Sequence, residues 1–171
     1  MSGRHLVLMG PMGSGKTTVG SIVAERLGRP LVDSDQQIEG QYGKTGLALA
    51  EEHGVPWLHA AEAEALRQAV EAAEPSVIAA AASTGDMERI ESLLGAEDIV
   101  VVLLVGDTEV LARRAKSGKH RRQIDVARSQ ELAERRNERL LSVVDGVIDV
   151  TTPTPDEIVQ LVLSIGAVGD E

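Results

Sequence analysis

The chain has 171 residues, 27 of them acidic against 17 basic, with a formal charge of −10, 1% aromatic residues and no cysteine. An acidic surface with only Tyr42 and Trp57 for stacking argues against a nucleic-acid partner, and the missing thiols exclude disulfides, cysteine zinc sites and thiol catalysis. No stretch approaches the ~20 apolar residues of a membrane helix, and the N-terminus lacks a signal-peptide layout, so a single cytoplasmic domain spanning 1–171, a monomer with no membrane partner, is expected.

Residues 4–9, RHLVLM, read as a short buried strand, and GPMGSGKT follows directly at 10–17. This octapeptide fits G-x-x-x-x-G-K-[ST], the pattern of a loop whose backbone N–H groups curl around phosphate oxygens. Its glycines permit positive φ angles and close approach, and the following helix contributes unpaired donors and the positive end of its dipole. The helix is predicted over 16–27, where Val19, Ile22, Val23 and Leu27 recur at helical spacing and Gly28 stops it. With strand, loop and helix in order, Lys16 is expected to reach the outer phosphates and the Thr17 hydroxyl to be a magnesium ligand.

Further along, RPLVDSD (29–35) reads as a strand ending in two aspartates, and 36–53 and 57–73 as helices. PSVIAAAAS (75–83) reads as a buried strand despite its alanines, 86–94 as a short helix, and DIVVVLLVG (98–106) as the clearest buried strand. A helix over 107–118 carries a capping pattern at Asp107 and a glycine stop, followed by the basic loop KHRRQID (119–125). A helix over 129–144, a strand over 145–151 and a helix over 152–166 complete the chain. Five strands alternating with helices imply an α/β fold with a parallel sheet covered on both faces. In such folds ligands lie beyond the carboxyl ends of the strands, which gathers the glycine-rich loop, the DSD carboxylates, the alanine segment and Gly106 on one rim.

Asp33 and Asp35 point the same way if the strand continues through both, one toward a magnesium-bound water and the other toward an acceptor hydroxyl. Aspartate in this position also serves simply to cap the next helix. Arg113 and Arg114 suit a helix C-terminus, whereas Arg121 and Arg122 lie beyond the Gly118 stop and suit a loop that closes over phosphates. Arg135, Arg136 and Arg139 are expected to pair along their own helix with Glu131, Glu134 or Glu138.

The stretch LVLMGPMGSGKTTVGSIVAERLGRPLVDSD resembles the opening of the shikimate kinase family, through the MG-x-GKTTVG loop and the L-x-D-x-D strand end. The match continues through Ile38, Glu39, Gly43 and Gly54 and resumes in VVVLLV, the arginine-rich segment and VIDVT. PWL at 56–58 and the pair SQ at 129–130 resemble gluconate kinase motifs instead. The resemblance implies a P-loop kinase fold with a short lid over about 115–127, and ATP and Mg2+ as cofactors. It assigns the ATP phosphates to Gly13, Ser14, Gly15, Lys16, Thr17 and Thr18, and magnesium to Thr17 with Asp33 through water. It gives Asp35 the acceptor hydroxyl, Arg114 the adenine, and Thr152 and Pro153 the start of the adenine-contacting loop. Arg121 or Arg122 becomes the lid arginine at the γ-phosphate, and Arg136 the arginine on the acceptor's carboxylate.

The acceptor half departs from the family. Leu58-His59 stands where the family has Phe-Arg ahead of the E-x-x-x-L helix, so His59 replaces a carboxylate-gripping arginine. Ala81-Ala82-Ser83 stands where it has three glycines, and the lid Arg-Pro-Leu-Leu reads Arg-Arg-Gln-Ile. The expected activity is ATP- and magnesium-dependent phosphotransfer to a hydroxyl of a small polyhydroxylated, carboxylate-bearing metabolite. The alternatives are a gluconate or related sugar-acid kinase and a nucleotide-binding regulator without acceptor chemistry.

Overall fold

The computed structural model describes residues 3–116 and 126–168. Its centre is a five-stranded, all-parallel sheet in the order β2-β3-β1-β4-β5, formed by β1 (His5–Met9), β2 (Leu31–Asp33), β3 (Val77–Ala79), β4 (Ile99–Val105) and β5 (Gly146–Asp149). The helices are α1 (Lys16–Leu27), α2 (Ser34–Tyr42), α3 (Gly46–His53), α4 (Val55–Glu71), α5 (Ile90–Leu94), α6 (Thr108–Lys116), α7 (Val126–Leu140) and α8 (Pro155–Val168). The fold class is the one expected, a parallel sheet with helices on both faces.

Period-two alternation divides the strands between two cores. Leu6 and Leu8 of β1 and Val100, Val102 and Leu104 of β4 pack beneath α1 and α8, against Val19, Val23, Val159 and Val162. Val7 and Met9, with Val101 and Leu103, pack on the other face against Leu66 and Val70 of α4, Ile90 and Leu94 of α5, and Leu140 of α7. Each fully buried Leu, Ile or Val side chain contributes roughly 1.5–3 kcal/mol. The apolar run of β4 is therefore what binds the two layers together. A third cluster, Ile38, Leu49 and Leu58, joins α2, α3 and α4 beside the rim.

Several boundaries differ from the sequence expectation. The helix expected over 36–53 is two, because Gly43 takes a left-handed conformation (φ 67°) and closes α2 by donating to Glu39 O, after which Thr45 caps α3. The strand expected over 75–83 stops at Ala79. Beyond it Thr84 turns back, its hydroxyl and N–H both donating to Ala81 O, and a 3-10 turn (Ala82–Asp86) follows. Asp86 closes that turn, and α5 begins only at Ile90. Residues 117–125, which hold Gly118, Arg121, Arg122 and most of the expected lid, lie outside the described residues. Among the described residues no helix is long and apolar enough to cross a membrane.

Gly146 opens β5 where α8 crosses it. A Cβ at this position would come within 2.9 Å of Ile165 Cγ1 and 3.3 Å of Cγ2, and the β-branched isoleucine has little rotamer freedom with which to retreat. Gly146→Ala should destabilise the chain by about 1–3 kcal/mol in chemical denaturation. Ile165→Ala in the same chain should recover part of that loss. Additive losses in the double variant would exclude the contact as the cause.

Candidate active site

The loop between β1 and α1 rests on backbone geometry that only glycine provides. Gly10 (φ 144°), Gly13 (φ 79°) and Gly15 (φ 88°) all lie at positive φ. At Gly10 a side chain would run into Leu104 O of β4, and at Gly13 into the main chain of Leu111 on α6, whose carbonyl carbon would stand 2.9 Å away. Close packing against β4 and α6 thus holds the loop open at the head of α1. Two features fit it to phosphate. Among the described residues Ser14 Oγ, which is buried, has no hydrogen-bond partner, and the α1 N-terminus has no side-chain cap.

Lys16 Nζ donates to Gly10 O at 2.7 Å and Pro11 O at 3.0 Å, folded back across the loop. Desolvation pushes its ammonium down to about 8, although Asp35 and Asp33 pull it up. Arg136 adds to the lowering and Glu62 opposes it, so charges from β2, α2, α4 and α7 all act on Lys16.

Thr17 Oγ1 donates to Asp33 Oδ2 at 2.6 Å, which joins the head of α1 to the end of β2. The other oxygen of Asp33 accepts from the backbone N–H groups of Asp35 (3.0 Å) and Gln36 (3.1 Å) and caps α2. Asp33 therefore caps α2 with one oxygen and meets the head of α1 with the other. The strand does not continue to Asp35 as expected; it ends at Asp33, and Asp35 projects from the first turn of α2, exposed at the rim. Thr17 Oγ1 and the Asp33 carboxylate are hard oxygen donors, a set suited to magnesium completed by waters and phosphate.

Across the mouth of the loop, α4 and α7 pack on either side of the 3-10 turn. His59, half-buried, and Glu62, buried, lie three apart on one face of α4. Ser83 Oγ donates to Glu62 Oε2 and ties the turn to α4. At its other end Asp86 Oδ2 accepts from Arg136 Nε at 2.8 Å and lies 2.8 Å from Arg136 Nη2 in an ion pair, and Asp86 Oδ1 accepts from Arg135 at 3.1 Å. Partial burial raises the Asp86 carboxyl, but hydrogen bonds from Arg136 and Arg135 outweigh it and hold the group below its usual value. Arg139 donates to Glu91, Gly85 O and Met87 O. The three arginines of α7 thus do not pair along their own helix as expected. They reach across to the turn and α5, because α7 packs against both. Arg136 and Ala82 line a cavity of about 150 Å³ together with Met9–Met12, Gly106, Leu111, Leu132 and Asn137.

On the opposite flank, Arg114 donates to Val150 O at 2.8 Å and Thr151 O at 3.1 Å, which brings α6 beside the loop holding Thr152 and Pro153. Asp107 caps α6 through Val110 N as expected. The structure therefore brings Lys16, Thr17, Asp33 and Asp35 together with Glu62 and Arg136 at the mouth of the loop, and sets Arg114 on the segment that leads into Thr152 and Pro153. Gly13, Ser14, Gly15 and Thr18 lie in the loop and the first turn of α1, while Arg121 lies outside the described residues. Sequence reading missed Glu62 and Asp86. The helical spacing from His59 signalled Glu62, whereas no local pattern marks Asp86 as Arg136's partner, 50 residues away.

A family model described as shikimate kinase matches residues 12–165. The shikimate kinase of Streptomyces coelicolor is 32% identical over 95% of both chains, and that of Symbiobacterium thermophilum is 35% identical over 69% of this chain and 67% of its own. Among solved structures, shikimate kinase from Acinetobacter baumannii in complex with shikimate superposes with a TM-score of 0.86 at 25% identity, over 96% of this chain and 93% of that one. A gluconokinase from Sinorhizobium meliloti shares the fold at a TM-score of 0.63 and 22% identity, over 99% of this chain and 95% of its own. The glycine-rich loop, the carboxylates at its mouth and this agreement along nearly the whole chain lead to one conclusion: the chain belongs to the shikimate kinase family of small-molecule kinases.

Proposed function

We propose that the chain, as one kinase domain spanning residues 1–171 with its lid over about 115–127, transfers the γ-phosphoryl group of ATP to a hydroxyl of shikimate or a closely related small polyhydroxylated carboxylate. The observation that carries this reading is the convergence of Lys16, Asp33, Asp35, Glu62 and Arg136 on the mouth of the phosphate loop. A nucleotide-binding module alone would have no need of the acceptor wall formed by Asp35, Glu62 and Arg136.

The roles follow from position. Backbone donors from Gly13 to Thr18 hold the phosphates. Lys16 exchanges the carbonyls of Gly10 and Pro11 for phosphate oxygens, a strong charge-assisted contact in place of a neutral one. Thr17, with Asp33 through water, would hold magnesium, which would supply neutralisation of phosphate charge. Asp35 faces the acceptor hydroxyl, orients it for in-line attack and takes its proton. Arg136 pairs with the acceptor's carboxylate, with His59 beside it on the α4 wall. Arg114, Thr152 and Pro153 border the adenine, and the resemblance gives Arg121 the γ-phosphate. Catalysis of this type rests on positioning and electrostatic stabilisation rather than covalent chemistry.

The experiment for this function is an ADP-release assay with ATP and magnesium over shikimate, gluconate, other sugar acids and nucleoside monophosphates. Turnover of shikimate well above background ATP hydrolysis is expected. Preference for gluconate would reassign the acceptor, and a flat panel with tight ATP binding would favour a regulatory module.

Two variants divide the labour. Lys16→Ala should abolish nucleotide binding, whereas Asp35→Asn should keep ATP affinity within about threefold and lower kcat by at least the 10²–10⁴ typical of a general base. Equal loss of ATP affinity in both would refute the division.

The Lys16 ammonium also predicts a pH dependence. Its pKa in the free protein is about 8, and a bound polyanion favours the protonated form and raises it. Nucleotide affinity should therefore be flat below pH 8 and weaken above it, approaching tenfold per pH unit. Calorimetric titration at pH 7, 8 and 9 measures this directly. In Lys16→Arg, whose guanidinium stays protonated, the slope should vanish.

A further inference from the structure

We propose that Asp86 is a specificity-determining residue: it holds Arg136 as a built-in stand-in for the acceptor's carboxylate, and the acceptor binds by exchanging its own carboxylate for that of Asp86. The proposal rests on the reading that the acceptor carries a carboxylate and meets Arg136.

The geometry is that of an occupied anion site. Nε and Nη2 form one of the forked edges with which a guanidinium grips a carboxylate. In Arg136 both converge on Asp86 Oδ2 at 2.8 Å. The Arg136 side chain is only 16% exposed and lines the cavity with Ala82, so an incoming carboxylate meets this edge already taken.

Two features allow exchange rather than permanent closure. The turn does not depend on the Asp86 carboxylate for its place. Gly85 packs so tightly that a Cβ there would stand 2.8 Å from Arg136 Cβ, Ser83 ties the turn to Glu62, and Arg139 holds Gly85 O at 3.3 Å and Met87 O at 3.1 Å. The displaced carboxylate also has somewhere to go. Asp86 Oδ1 already accepts from Arg135, whose side chain is 60% exposed, so Asp86 can remain paired at the surface while the acceptor takes Arg136. One ion pair replaces another, and neither Arg136 nor Asp86 is left buried and unpaired. In the resting protein Asp86 keeps Arg136 oriented and neutralised, and acceptor affinity is lowered by the fraction of time that the edge is occupied.

Asp86→Asn tests this, since the amide oxygen still accepts from Arg136 but without the charge. With the acceptor identified in the wild-type panel, its KM, and its Kd read from the fluorescence of Trp57 on α4, should both fall about three- to tenfold, with kcat changing less. A staple that merely holds the turn would give the opposite result, and an unchanged or raised KM overturns the proposal. Glu91→Gln removes the same charge beside Arg139 and should leave KM within twofold; an equal fall there would assign the effect to general surface charge and overturn exchange. Arg135→Gln, an exposed change that leaves the fold intact, should raise KM by depriving displaced Asp86 of its partner, and an unchanged KM counts against exchange. Failure of the underlying function is read separately. A wild-type chain that phosphorylates no carboxylate acceptor defeats both readings before any variant is made.

Discussion

Close approach of backbone to backbone at Gly10 and Gly13 is the constraint on which the site depends. The loop after β1 lies against the main chain of Leu104 on β4 and Leu111 on α6, where no Cβ fits. This contact fixes the start of α1, which packs back across the sheet, and leaves its N-terminus without a side-chain cap at the rim. It also turns Lys16 back over the loop, where Gly10 and Pro11 hold it in desolvated surroundings. A desolvated cation is costly, and an anion beside it would relieve that cost.

From this point the site is assembled by short stitches between elements. Thr17 to Asp33 joins α1 to β2, Ser83 to Glu62 joins the turn to α4, and Asp86 to Arg136 joins the turn to α7. Arg114 joins α6 to the loop after β5. Each is a polar contact at the carboxyl rim of a sheet whose interior is mostly apolar. Two packed cores supply the stability, and the rim residues are free to serve chemistry. The acceptor wall differs in kind from the phosphate loop. It is formed by side chains from α4, the turn and α7, so its chemistry changes with single substitutions while the loop stays as it is. His59 and the segment 81–83 are departures of this sort, in a family member whose donor-side loop is intact.

Much was legible in the sequence because it was local. Strand, glycine loop and helix are contiguous at 4–27, and the apolar run of β4 and the caps at Asp33 and Asp107 are read from neighbouring residues. Where local preference was ambiguous, the boundaries moved. The alanines after β3 are as compatible with a turn as with a strand, and the hydroxyl of Thr84 decided for the turn. Gly43 divided the helix expected over 36–53.

The sequence alone determined that the protein has a parallel α/β sheet and a phosphate loop, and that Asp33, Asp35 and Arg136 are the residues to examine, since each follows from spacing along the chain or from family resemblance. The tertiary structure decided which charges meet. Arg135 had acidic partners at helical spacing on its own helix, Glu131 and Glu138, yet it pairs with Asp86, as Arg136 does, while Arg139 pairs with Glu91. The reason is geometric: helical spacing says which residues share a face, but only the packing of α7 against the turn says what that face is pressed against.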